Sequence, residues 1–220
     1  MKLLFLVPCA VLMTGCGLVL GTQVQGSGKA STANYTVGKG QKLEPFTKIE
    51  TSGSFDVEIQ QGPQSDVVVS GDDNILPLVK LESKDGVLYV SITKGYSTHN
   101  DLVLKVTLPK VEGMTINGSG SAHLEGIHGD SVALAIEGSG DIYAKGDAES
   151  VAASIDGSGS IHADTLKVKS ATTSISGSGS IDVDSSNTLA AEISGSGDIN
   201  YKGDPKVTKA IDGSGGVNKL

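Results

Sequence analysis

The chain has no arginine, no tryptophan, only 4% aromatic residues and only two cysteines. Each shortage excludes a class of function. Nucleic-acid and phosphate binders lean on arginine forks and basic patches. This chain instead carries a formal charge of −8, so nucleic acid is excluded as a partner. A large apolar ligand pocket needs aromatic walls, which three Phe and five Tyr do not supply. Both cysteines, Cys9 and Cys16, lie near the start. The rest of the chain has no thiol or disulfide and must be held by its core and its backbone ladder. No motif for a cofactor or a metal stands out.

What is present begins with a leader. Lys2 and the apolar run "LLFLVPCAVLM" match the n- and h-regions of a signal peptide. The run is too short to span a bilayer as a helix. It closes on "LMTGC", Leu12 to Cys16, which resembles the lipobox of bacterial lipoproteins. That resemblance implies removal of residues 1–15, diacylglycerol on the Cys16 thiol and a further acyl chain, such as palmitate, on the new amino terminus. Two or more chains anchor stably where one is marginal. Loss of Lys2 takes the charge from −8 to −9. Gly17 after the cysteine, by resemblance to Gram-negative lipoproteins, points to the outer membrane.

Residues 16–45 are mostly small and polar and read as a flexible tether. The "VQGSGKA" within them is not counted as a repeat. Residues 46–110 read as a β region. "FDVEIQQ" and "DLVLKVTLP" alternate apolar and polar residues, Asp85-Gly86 signals a hairpin, and Asp73 or Asn74 is a candidate cap for a short helical turn.

Residues 111–220 are repetitive. Ile116, Ile136, Ile155, Ile175, Ile193 and Ile211 each precede Gly-Ser-Gly. Their spacing of about 18–20 residues in a β-rich chain points to a solenoid. In each copy apolar residues alternate on both sides of the corner, as in Val132, Leu134, Ile136 and then Ile142, Ala144, which means a strand before and a strand after. The corner glycines are Gly118, Gly120, Gly138, Gly140, Gly157, Gly159, Gly177, Gly179, Gly195, Gly197, Gly213 and Gly215. Stacked corners leave no room for Cβ atoms and demand unusual backbone angles. The serines between them are expected to form a hydroxyl column that satisfies corner backbone groups. A dinucleotide fingerprint fails because a strand, not a helix, follows. Regular calcium binding fails because the acid after the corner is sporadic and the period is wrong.

The solenoid places outward residues in columns. After the corner runs His123, Tyr143, His162, Asp182, Asn200. The two histidines fall two coils apart, roughly 9.6 Å, too far for one metal ion without large excursions, and read as exposed polar residues. Before the corner run Ala133 and Ala135, Ala152 and Ser154, Thr172 and Ser174. This small-sided face is a candidate interaction face, packed either on the 46–110 region or on a second copy of the chain.

"SGSFDVEI", "VVVSGDDNILPLV", "DGVLYV" and the repeated "GSGDI" elements together resemble the bacterial head GIN domain family of auto-transporter adhesins, over roughly residues 46–216. The resemblance implies an all-β, right-handed parallel β-helix, or β-solenoid, at the bacterial surface, and brings no catalytic motif. No autotransporter barrel is visible, so Cys16 would be the anchor. Two readings follow. One is a non-enzymatic envelope lipoprotein that binds a protein or glycan, or serves as scaffold. The other is a carbohydrate-active lyase or hydrolase on a β-helix, which needs a cleft with converging carboxylates.

Overall fold

The computed structural model describes residues 23–38 and 42–220. The leader and Cys16 lie outside the described residues. Chain order runs from β1 (Val24–Gln25) and β2 (Ala30–Tyr35) through β3 (Lys48–Gly53), β4 (Asp56–Gln61) and β5 (Asp66–Asp72) to a 3-10 turn at Leu76–Leu78. Then come β6 (Val79–Lys84), β7 (Val87–Ile92), β8 (Tyr96–Ser97), β9 (Val103–Leu108) and β10 (Gly113–Gly118). Four long strands follow, β11 (Ser121–Gly138), β12 (Asp141–Gly157), β13 (Ser160–Gly177) and β14 (Ser180–Gly195). The stack ends with β15 (Asp198–Lys202), β16 (Lys206–Gly213) and β17 (Gly216–Lys219).

The long strands bend, so each contributes to two walls. The first wall has the order β6-β7-β3-β10-β11-β12-β13-β14-β16 and carries the residues before each corner. The second has the order β2-β5-β9-β4-β11-β12-β13-β14-β15-β17 and carries the residues after it. Pairing along both walls is parallel except at one end, where β6, β5 and β2 run antiparallel. The architecture is the expected β-solenoid.

Core residues stack in columns. Ile116, Ile136, Ile155, Ile175 and Ile193 lie in one register line, each at most 2% exposed. Burying a side chain of this size stabilises by about 1.5–3 kcal/mol, which explains why this column is the most regular feature of the sequence. The unequal repeat lengths are absorbed elsewhere. Register slips lie between Leu124 and Ile127, Tyr143 and Lys145, and Ala163 and Lys167. All fall on the short third edge that joins the second wall back to the first.

The corner shows why two glycines are needed. Gly157 has φ +137°, a region closed to other residues, and a Cβ there would lie 2.1 Å from the Gly138 carbonyl oxygen. At Gly159 a Cβ would meet the Gly140 carbonyl oxygen at 2.2 Å and the Ile136 Cγ2 at 3.0 Å. The expected serine hydroxyl column has a different part. Corner backbone is satisfied by backbone, with Ser158 N–H donating to Gly138 O at 2.8 Å and Ser160 N–H to Gly140 O at 3.1 Å. The corners stack closely enough to pair directly, so the exposed hydroxyls are not required.

Three further expectations are corrected. The tether does not extend to residue 45. Within it, β1 pairs with β8 and β2 pairs with β5 over Ala30↔Asp72 to Tyr35↔Val67. Asp73 and Asn74 do not cap the 3-10 turn, whose N-cap Ile75 has no side-chain cap bond. They hold the Gly26-Ser27-Gly28 bend instead. Asn74 Oδ1 accepts from Ser27 N–H at 2.9 Å, and Asp73 Oδ1 accepts from Ser27 Oγ at 2.6 Å. Lastly, residues 46–110 do not cover the small-sided face; β3 and β7 extend the first wall edge to edge. The coil formed by β3 and β4 was itself an unrecognised copy. Gly53, φ +126°, aligns with Gly118, and Phe55 stands where other copies have the second glycine.

Candidate functional site

The twelve corner glycines sit on the ridge between the walls, and the carbonyls of all but Gly213 and Gly215, in the last corner, accept corner-to-corner bonds. They build the stack and offer nothing to a ligand. The small-sided face lies on the outside of the first wall. Ala133, Ala152, Ser154 and Thr172 are exposed there, and Ala135 and Ser174 are half-buried. A shallow trough of about 320 Å³ crosses it beside Ala135, Ser154, Ser174 and Glu192. The face is flat, uncovered and nearly free of groups that could orient a ligand.

The outside of the second wall is chemically richer. The third residue after each corner falls on one outward column. Lys105, Glu58, His123, Tyr143, His162, Asp182, Asn200 and Asn218 follow one another in register across eight strands. At the sheet spacing of about 4.8 Å the column is roughly 34 Å long. Tyr143 fills the gap between the two histidines. Its ring stacks on His123 at 4.7 Å and 4° and on His162 at 4.8 Å and 16°. The stacking holds each ring against its neighbour.

The pile continues as a hydrogen-bonded relay. His162 Nδ1 lies 2.9 Å from Asp182 Oδ2. An ionised carboxylate only accepts, so the proton in this contact sits on Nδ1. Asn200 Nδ2 donates to Asp182 Oδ1 at 2.8 Å, and Asn218 Nδ2 donates to Asn200 Oδ1 at 3.3 Å. At the other end, Lys105 Nζ lies 2.8 Å from Glu58 Oε2.

Two residues further along the strands stand Thr107, Gln60, Glu125, Lys145, Asp164, Asp184 and Lys202, but register slips break their alignment, with Lys145 paired to Thr165 and Asp184 to Lys167. Lys202 Nζ bonds Asp164 Oδ2 at 2.7 Å, and this carboxylate holds the ammonium above its ordinary pKa, assisted by Asp184 and Asp182. A hollow of about 470 Å³ lies at one end of the column, where Glu58, Gln60, Lys105, Thr107, His123 and Glu125 stand over Ile59 and Val106. Among the described residues no three His, Cys, Asp or Glu side chains are grouped to hold a metal ion.

The sequence reading placed the five residues from His123 to Asn200 in one column but treated them as solvated. What it lacked was Tyr143 as the joining ring and the addition of Lys105, Glu58 and Asn218. The usable signal was position, because each of the column residues from His123 to Asn218 stands three places after a second corner glycine.

Comparison with known proteins agrees with this architecture. A family model described as "Putative auto-transporter adhesin, head GIN domain" matches residues 45–205. No curated protein sequence matches significantly. Among solved structures, a "putative adhesin" from Bacteroides fragilis is similar with a TM-score of 0.70 at 25% identity, covering 90% of this chain and 100% of that one. A "putative adhesin" from Parabacteroides distasonis gives 0.62 at 21% identity, with 90% and 100% covered. A "putative lipid binding protein" from the same species gives 0.55 at 23%, again with 90% and 100% covered. The last two likenesses concern the fold alone.

Proposed function

The chain belongs to the head GIN domain family, and from that premise we propose that it is an adhesin-like, non-enzymatic binding scaffold of the cell envelope, held to the outer membrane by lipid on Cys16. The observation that carries the reading is the state of the carboxylates on the second wall. Asp182 is engaged by His162 and Asn200, Asp164 by Lys202, and Glu58 by Lys105. They are spread along a flat wall as fixed polar contacts. A glycosidase would converge two of them across a scissile bond. The rigid stack spends no free energy on ordering when it binds, which favours recognition over long surfaces.

The test uses the full chain in a Gram-negative host, as wild type and as Cys16→Ser. Wild type is expected in the outer-membrane fraction with added acyl mass, and its cells are retained on glycan- or envelope-protein-coated surfaces. Cys16→Ser is expected in the soluble fraction, without retention. Wild type without acyl mass refutes the anchor. Membrane-bound protein whose cells adhere no better than the parent host refutes the adhesin-like role.

A further inference from the structure

We propose that β16, at the open end of the stack, is a docking edge for an extended protein segment in which apolar, acidic and apolar residues stand at every second position. This deepens the binding-scaffold reading by naming the partner class, and rests on it.

The two ends of the stack bury their cores differently. At one end the connection from β5 to β6 passes from the second wall to the first and buries Ile75 and Leu76. At the other end the last coil is exposed. Along one register line the isoleucine column goes from 1% exposed at Ile193 to 40% at Ile211. Val207 and Val217 are half-buried, and Leu220 is 65% exposed. β16 pairs with β14 and with no later strand, so its other edge keeps a row of unpaired N–H and C=O groups. An extended chain laid along that edge gains backbone hydrogen bonds and covers the apolar side chains, which is how sheets take up an added strand.

The edge selects the segment. In register with Leu189, Ala191 and Ile193, β16 presents Val207, Lys209 and Ile211. Lys209 is exposed and has no ion pair among the described residues. Strand side chains alternate, so an added strand sets three residues, at every second position, against these three. The outer two continue the column if they are apolar. The middle one meets an ammonium on the neighbouring strand, where an opposite charge stabilises and a like charge destabilises. The stack already makes this pairing once, since Glu58 stands in register with Lys105 and holds it at 2.8 Å. The order apolar, acidic, apolar reads the same in both directions, so parallel and antiparallel segments both fit.

Other occupants fit less well. Two copies joined by this edge, with Val207 matched to Ile211, would set Lys209 against Lys209. A copy joined by its opposite end would bring Val79, Leu81 and Ser83 of β6, which offer the ammonium no carboxylate. A polysaccharide has no amide row at strand spacing and no apolar side chain for the place over Ile211.

The experiment is fluorescence anisotropy of dye-labelled peptides titrated with the chain from residue 17 onward, which keeps every described residue. The peptides are Thr-Val-Thr-Glu-Thr-Val-Thr and the same sequence with lysine in place of glutamate. The glutamate peptide is expected to bind, and the lysine peptide to bind about tenfold more weakly. The chain's net charge of −8 by itself favours the lysine peptide, so the expected order points to a local cation. Lys209→Glu should invert that order, and Ser154→Lys on the first wall should leave it unchanged. N-methylation of one set of alternate peptide nitrogens should abolish binding, and of the other set should not. Thermal melts show that each variant is folded. Equal binding of the two peptides, or an order unchanged in Lys209→Glu, overturns the site. Tolerance of both N-methylated sets overturns strand addition. Wild type that sediments as a dimer assigns the edge to a second copy and overturns the partner class. Cells retained on envelope protein, with no peptide bound, overturn the inference and leave the scaffold reading standing. Loss of both binding and retention removes both.

Discussion

At the scale of single residues, the corner carries two demands that coincide. Gly157 needs both a backbone angle and a space that only glycine provides. Gly157→Ala is therefore expected to cost about 3 kcal/mol or more and to lower Tm by on the order of 10 °C. Ser158→Ala should stay within about 0.5 kcal/mol of wild type, because that hydroxyl takes no part in the corner bonds. Thermal unfolding by circular dichroism separates the two. Coincident demands are also why the corners were legible in the sequence; a residue with one permitted identity leaves a mark in every copy. The ring pile left a fainter mark. His, Tyr, His, Asp and Asn share a position without sharing a side chain, so the period located them and their chemistry could not be read until the rings were seen in contact.

At the scale of elements, hydrophobic alternation and turn chemistry were good guides where a strand owns its signal. The hairpin between β6 and β7 turns at Asp85 and Gly86, with φ 51° and 78°, as the dipeptide suggested. β2 was invisible because "ASTANY" has no apolar alternation. Its partner, β5, lies more than thirty residues later in the chain and supplies the edge it pairs with. The same end is locked by Asp72, which is fully buried. His99 N–H donates to it at 2.8 Å and Asn100 Nδ2 at 2.6 Å. The bond from His99 is the main reason its pKa is lowered, and burial opposes it. A carboxyl depressed in the folded state stabilises above its unfolded pKa and loses that contribution as pH falls through the folded value. Asp72→Asn is expected to lower Tm by several degrees at pH 7. The gap to wild type should narrow at pH 3 and below, as wild type loses the advantage; a gap that is constant with pH would contradict this assignment.

At the scale of the whole molecule, the two ends of the stack are unlike. One is closed by antiparallel strands. The other presents β16 and β17, where the inward columns finish in Lys209, in line with Ala191 and Thr173, and Lys219, in line with Tyr201 and Val183. Both lysines are exposed, Lys219 held by Asp204 at 2.9 Å, and charges at these positions of a terminal strand keep a sheet from growing onto a neighbour. Replacing both, Lys209→Ile with Lys219→Val, is expected to give end-to-end dimers and longer species by sedimentation velocity where wild type gives one. Variants that sediment like wild type would show that the lysines have no such part.

The order of strands also sets a timetable. The coil of β3 and β4 lies between β7 and β9 on one side and β10 and β11 on the other. Both neighbours come later in the chain. A chain that emerges from its amino terminus therefore delivers this coil bare on both edges. It can be flanked on both sides only after residue 121 and beyond have emerged. The stack cannot be laid down coil upon coil from its first residue. The regular GSG coils, whose partners lie only about 18–20 residues apart, are the part that can close fastest and serve as the template on which the earlier chain is then set.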